Sequence, residues 1–234
     1  MSRWLRLLPP KWQCLFLEFR ATGKTSIGDK AFIHPSVQIL GRANVRLGNN
    51  SVLSQDGWLN VNHRDEIDFV IDIGDHCFLG RRNFFSSGKA IVIGHYVLTA
   101  NDCHFLGSSH VASDPTRPCI TTGTTNADTI VVGHNTFIGA GARIVGHVTI
   151  GHGCIVGACA LVTRDVPPFS QVVGFPATVR RRYSFPRGAW VDLALFTAAD
   201  EEALPTAVDF LTLLRSRPIP EMPYLAAGSD MGQC

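Results

Sequence analysis

The sequence predicts an all-β solenoid in which short parallel strands wind as three-sided coils, and three observations predict it. The first is a period of six: from Val132 the aliphatic positions run Val132, Ile138, Ile144, Ile150, Val156 and Val162. The second is the residue that follows them, glycine at Gly133, Gly139, Gly151 and Gly157. The third is the fifth place of each six, which holds Thr136, Ala142, Val148, Cys154 and Ala160. A stretch such as IVGHVTIGHGCIVGA, residues 144–158, is rich in strand formers yet interrupted by glycine, so neither a helix nor an ordinary sheet reads well. A fixed hexapeptide period is a β-helix signature.

Geometry explains the period. Six extended residues at roughly 3.3 Å each make a side of about 20 Å less its corner, and three such sides close one coil. Coils stacked about 4.8 Å apart put Val132 under Ile150, Ile138 under Val156 and Ile144 under Val162, in continuous apolar ladders. The small fifth residue also faces inward. Glycine, asparagine and histidine gather at places three and four, where corners need unusual backbone angles.

Taken in chain order, residues 1–26 are an N-terminal segment whose apolar run is short and broken by prolines, lysine and glutamate, a poor signal peptide. The solenoid is expected over residues 27–182. Its earlier sixes start at Ile27, Ile33 and Ile39, at Leu47, Leu53 and Leu59, at Ile73, Leu79 and Phe85, and at Ile93, Thr99 and Phe105. Fifth places there include Ala31, Val37, Ser51, Cys77, Val97, Cys103 and Ser109. Two-residue slips before Leu47 and Ile93 read as widened corners. Residues 60–72 and 107–129 break the period outright. A long loop inside a regular solenoid is usually functional or disordered, so the second break is the first clue to a site. Pro167 and Pro168 end the last side, since neither donates a ladder hydrogen bond, and Arg180, Arg181 and Arg182 follow as a basic cluster. Residues 183–234 form a tail with one helix, ADEEALPTAVDFLTLLRS, in which Leu204, Val208, Leu211 and Leu214 have helical spacing and Pro205 sits in the first turns.

Composition narrows the functional classes. With 17% charged residues and a net charge of +2 the chain is too balanced to suggest nucleic acid. No apolar run is long enough for a transmembrane segment. Seven cysteines, an odd number without paired spacing, suit a reducing compartment and hence a cytoplasmic protein. Cys77, Cys103 and Cys154 occupy inward places and read as packing.

The sixes, the segment GACALVTRDVPPFSQVVGFPATVRRR (residues 157–182) and a long loop bearing a histidine resemble the left-handed β-helix acyltransferases, the hexapeptide-repeat enzymes. Within them the chain is most similar to sugar and xenobiotic O-acetyltransferases and to those that acetylate bacterial surface polysaccharide or lipopolysaccharide. The resemblance covers roughly residues 27–183. It implies a left-handed coil, which spacing alone does not give, since parallel crossovers are otherwise right-handed about 98% of the time. It also implies a homotrimer with acetyl-CoA in a groove between neighbouring β-helices, and a carbohydrate acceptor.

Carried over residue by residue, the resemblance places the general base at the end of the six FLGSSH, at His110, with His104 the nearby rival. An imidazole, with an unperturbed pKa near 6.5, suits proton abstraction from a hydroxyl at neutral pH. A backbone N–H would stabilise the oxyanion formed on the thioester carbonyl. Asp114, four residues on, is the candidate to orient the imidazole. Along the pantetheine arm fall Gly139, Ala140, Ala158, Thr163 and Arg164, with Phe137 at the thioester end. Arg181 matches a basic position for the nucleotide phosphates; Thr178 stands where arginine is common, leaving Arg180 or Arg182 to substitute. Asn83, Phe84, Phe85 and Ser86, one coil below Phe105, join His104 as acceptor residues, with Trp58 a coil earlier. Cys103 and Cys119 lie near the loop, but no cysteine sits beside a base, so direct transfer is expected.

Three other readings compete. N-acylation of an amino sugar uses the same scaffold and cofactor. A zinc enzyme of the carbonic anhydrase type needs three histidines; His147 and His152 sit at corner places with no third in register, so no metal is expected. A non-catalytic solenoid leaves the long histidine-bearing loop unexplained. Serine acetyltransferase is disfavoured, because the large helical N-terminal domain expected of it is absent from the first 26 residues.

Overall fold

The computed structural model describes residues 27–64 and 69–218; the expected N-terminal segment and the end of the tail lie outside the described residues. The chain winds as a three-sided parallel β-helix whose sides form three sheets of nine, six and five strands. The first sheet stacks Phe32–Ile33, Val52–Leu53, Phe78–Leu79, Leu98–Thr99, Phe137–Ile138, Ile155–Val156 and Ser170–Gly174. The second stacks Gln38–Leu40, Trp58–Val61, Phe84–Ser87, His104–Leu106, Arg143–Val145 and Leu161–Val162. The third runs through Val45–Leu47, Ile71–Ile73, Ala90–Ile93, Thr129–Val132 and Val148–Ile150.

The register is the one the period predicts. Val132 pairs with Ile150, Ile138 with Val156 and Ile144 with Val162. The earlier sixes stack likewise, Leu47 on Ile73 on Ile93, and Leu59 on Phe85 on Phe105. The rings of Phe85 and Phe105 lie parallel at 4.4 Å in the core. Burying one such aliphatic side chain is worth about 1.5–3 kcal/mol, so the ladders dominate the folding energy. At the fifth places Ser51, Cys77, Val97, Cys103, Thr136, Ala142, Cys154 and Ala160 are buried as expected. Ser109 is exposed instead, because the chain has left the coil at Gly107. Desolvation pushes the thiols of Cys77 and Cys103 up to about 12 and that of Cys154 to about 11, so these cysteines are packing groups and not nucleophiles.

Glycine at the second place reflects close stacking between coils. A Cβ on Gly133 would fall 2.3 Å from the His152 nitrogen, and one on Gly151 would fall 2.5 Å from the Pro168 nitrogen. The left-handed backbone falls two places later. There the chain tolerates even Tyr96 at φ 61° and Phe169 at φ 53°, a strain of about 1–2 kcal/mol each that the surrounding ladder offsets.

The C-terminal part departs from the repeat. Ser170–Gly174 closes the first sheet in parallel, then Ala177–Ser184 and Ala189–Asp192 add antiparallel strands that the sequence reading did not anticipate. The single expected helix is two: α1 (Ala198–Glu202) and α2 (Ala207–Ser216), with Thr197 and Thr206 capping their N-termini and Pro205 between them. The buried face of α2 is set by Phe210, with Leu211 and Leu214 partly covered, whereas Val208 is 73% exposed and outside the packed stripe. No helix among the described residues is long and apolar enough to cross a membrane.

Phe210 packs against His152 and Phe169 at centroid distances of 5.5 and 4.9 Å, so α2 covers one corner of the solenoid. That corner is a ladder of side-chain acceptors. Asn49 Oδ1 accepts from the Asp29 N–H, Asp75 Oδ1 from Asn49, His95 Nδ1 from Asp75 and His134 Nδ1 from His95, at 2.8–3.0 Å. An Nδ1 that accepts a hydrogen bond carries no proton, so both imidazoles are neutral. His152 Nε2 contacts the Pro205 carbonyl at 3.2 Å, which requires the proton on Nε2. Burial lowers the pKa of His95, His134 and His152; Asp75 opposes this at His95, and Arg215 of α2 adds to it at His95 and His134. A histidine held low binds fewer protons in the folded state, so its stabilisation is complete above about pH 6.5 and is lost as the pH falls from there. The thermal midpoint is therefore expected to drop between pH 7.5 and pH 5, and His134→Asn, which keeps an acceptor oxygen, to flatten that drop in calorimetric scans.

Candidate functional site

Both breaks in the period leave the solenoid at one corner, the one between the second and third sheets. Trp58–Val61 leads into the first excursion, and His104–Leu106 leads into the second. Gly88, one coil below the second excursion, marks where its two ends converge. A Cβ there would meet the Gly107 carbonyl oxygen at 2.0 Å and the Asp128 carbonyl oxygen at 2.7 Å. Only glycine lets both ends lie against that coil.

The second excursion is a closed hairpin-like arm. At its neck the Ser109 and Thr125 backbones are joined by Thr125 N–H to Ser109 O at 2.7 Å, Val111 N–H donates to Gly123 O at 3.1 Å, and His110 forms an antiparallel bridge with Thr124. Side chains reinforce it: Ser108 Oγ–H donates to Thr125 O at 2.9 Å and the Ser109 N–H to Thr125 Oγ1 at 3.0 Å. His110 thus sits in a laced neck with its imidazole at the surface, and the arm beyond it is exposed throughout residues 111–121, Ile120 to 90%. Asp114 does not orient His110. Its Oδ1 accepts from the Thr116 N–H at 3.0 Å and the Thr116 hydroxyl at 2.7 Å, which hold the carboxyl below the usual range and tie it into its own turn.

The residues expected to meet the acceptor divide by strand alternation. Asn83 and Phe85 are buried: Asn83 is hydrogen-bonded to Thr99 and to the Cys103 N–H, and Phe85 belongs to the core. Phe84, Ser86 and His104 point outward. On that face Trp58, Phe84, His104 and Arg143 form one column, the Trp58 and Phe84 rings 4.9 Å apart and Phe84 edge-on to His104 at 6.0 Å. Burial, aided by Arg143 and opposed by Asp102, lowers the pKa of His104.

The residues assigned to the pantetheine arm fall on two different corners. Ala140 and Ala158 are exposed at the corner between the first and second sheets, bridged by the Cys159 N–H donating to Ala140 O at 2.8 Å. Thr163 and Arg164 are exposed at the loop corner, two coils from the neck of the arm. Gly139 is buried, a spacer whose Cβ would meet the Ala158 nitrogen at 2.6 Å. Phe137 lies outward on the first sheet, 39% exposed. Of the arginines, Arg180 is exposed and makes no ion pair among the described residues, and Arg181 pairs with Asp192 at 3.1 Å. Arg182 turns inward, paired with Glu201 and stacked on Phe196 at 4.3 Å, so it anchors α1 and is not free for a phosphate.

His63 went unnoticed in the sequence. On the first excursion, its Nε2 lies 3.3 Å from both the Thr125 carbonyl oxygen and Thr124 Oγ1 of the neck. The signal that could have found it is that both breaks follow the same side of the coil, after Leu59 and after Phe105. Among the described residues no group of three or more His, Cys, Asp or Glu is arranged to hold a metal ion.

This architecture recurs among known proteins. Residues 129–164 match the family of the bacterial transferase hexapeptide (six repeats). The fold is similar to that of a hexapeptide-repeat acetyltransferase from Vibrio cholerae, with a TM-score of 0.50, 25% identity, and coverage of 77% of this chain and 93% of that one. The coil is thus a left-handed parallel β-helix carrying the hexapeptide-transferase repeat. In sequence the chain is 32% identical over 119 residues to a serine acetyltransferase of Buchnera aphidicola, covering 49% of this chain and 41% of that protein. It is 30% identical over 123 residues to a chloramphenicol acetyltransferase of Klebsiella aerogenes, covering 52% and 55%. The chain spans about half the length of the curated relatives it matches.

Gly88→Ala is expected to displace both ends of the arm, costing about 1–3 kcal/mol as overpacking does. Urea denaturation of this variant beside the wild type measures the loss.

Proposed function

We propose that the protein transfers an acetyl group from acetyl-CoA to a hydroxyl of a sugar, a surface polysaccharide, lipopolysaccharide or its precursor, with His110 as general base. One observation carries the reading: on a transferase-type solenoid, the laced arm holds an exposed imidazole at the end of the sheet that presents Trp58, Phe84, Ser86 and His104 outward. Aromatic faces beside a hydroxyl and an imidazole suit the mixed apolar and polar surface of a sugar ring. In the reaction His110 takes the hydroxyl proton as the oxygen attacks the thioester carbonyl carbon. The tetrahedral oxyanion then collapses, the C–S bond breaks, and the imidazolium returns the proton to the CoA thiolate. Cys103, held protonated to about pH 12, offers no covalent route.

The acting species in this reading is a homotrimer. In one chain the width of the second sheet separates the Ala140–Ala158 corner from the corner of His110 and Arg164, so a single groove combining them needs corners from two chains. The outward column of the first sheet supports association as well. It runs through Phe78, Leu98, Phe137 and Ile155, with Leu98 40% exposed in the lone chain. Arg180, Arg181 and Arg164 supply the positive charge for the nucleotide phosphates, Arg181 on release from Asp192.

Release of free CoA with a panel of sugar and amino-sugar acceptors tests the reading. His110→Ala is expected to lower kcat by about 10² or more, while His104→Ala raises the acceptor KM with kcat within about tenfold of wild type. Turnover on amino sugars alone would make it an N-acyltransferase. No turnover with any acceptor, together with no acetyl-CoA binding in calorimetry, overturns it.

A further inference from the structure

We propose that His63 is a positioning residue for the transfer reaction, acting through the neck of the arm that carries His110; this rests on the reading of His110 as the base. The two excursions are far apart in sequence but meet at one point. Asn62 fixes the first of them to the adjacent coil: its amide Nδ2 donates to Ser86 Oγ at 3.0 Å and to Ser87 O at 2.8 Å, and its Oδ1 accepts from Asn60 at 2.7 Å. On the other side Arg64 Nε donates to Val61 O at 3.0 Å and closes the turn. Between these anchors His63, part-buried, directs Nε2 at the Thr125 carbonyl. A carbonyl only accepts, so this contact places the proton on Nε2. The two lone pairs of that oxygen are then shared between Ser108 Oγ–H and His63 Nε2–H.

The position of His110 depends on this contact because the arm has few other fixed points. Residues 109–121 are exposed, and the backbone of His110 pairs with Thr124, whose hydroxyl also lies 3.3 Å from His63 Nε2. The line from Ser86 through Asn62, His63 and Thr124 to His110 ties the base to the outward face proposed for the acceptor. A base displaced by about 1 Å from its acceptor loses up to about 10² in rate, so a residue that never touches substrate governs kcat here.

The test compares His63→Ala and His63→Gln with wild type by steady-state kinetics and by hydrogen exchange of the full-length protein. In His63→Ala the amides of Ser109, Val111 and Thr125 are expected to exchange about tenfold faster while those of Thr129–Val132 stay protected. In the same variant kcat is expected to fall about tenfold with the acetyl-CoA KM unchanged. His63→Gln, which retains an N–H donor of similar reach, is expected to restore most of both. Unchanged neck exchange in His63→Ala overturns the inference, and so does a loosened neck with kcat intact. A wild type that turns over no acceptor sinks the transferase reading instead, which separates the two failures.

Discussion

Everything in this molecule depends on the inward aliphatic of each side stacking on its counterpart a coil away. The parallel ladders that join Leu47, Ile73, Ile93, Val132 and Ile150, and their equivalents on the other two sides, fix the register of every strand. A slip of one residue would turn each aliphatic outward and each exposed residue inward, which the closed interior does not tolerate. With the interior committed, only the corners and the outward faces are free to vary. The two excursions use that freedom at one shared corner, which is where the proposed base lies.

The same division explains what was legible in the sequence. The six-residue period gave the three sides, the core aliphatics and the buried cysteines, because hydrophobic spacing records whether a residue faces in or out of a coil. It misled at Ser109, where the spacing continues for one place after the backbone has departed at Gly107. Of the four neighbours expected to face an acceptor, strand alternation sends Asn83 and Phe85 inward and leaves Phe84 and Ser86 outside. Periodicity carries no information on partners across the fold. The Asp114–Thr116 contact is a local turn that the six-residue period does not record, whereas nothing near Arg182 in sequence shows that Glu201 and Phe196 will claim it. His63 is the same case, since its neck contacts lie sixty-odd residues away.

The corners show a second economy. The positions before the left-handed residues hold asparagine, aspartate and histidine for a shared reason: each supplies one acceptor to the backbone N–H of the coil below. Asn49, Asp75, His95 and His134 fill that role in successive coils. Three histidines under α2 therefore couple a structural ladder to proton concentration without any catalytic part in it.

The antiparallel turn at the C-terminal end of the solenoid bears on how such a fold stays separate from its own copies. A stack of parallel coils ends in bare N–H and C=O groups, a surface on which a further coil, or another molecule's strand, can add indefinitely as in a fibril. After Ser170–Gly174 the chain reverses, lays Ala177–Ser184 beside that last parallel strand and Ala189–Asp192 beside Ala177–Ser184, and locks α1 over them through Arg182 and Glu201. The strand direction no longer matches that of an incoming coil, and a charged side chain is buried at the seam. Growth of the first sheet along the solenoid axis is thereby terminated at this end by the protein's own topology.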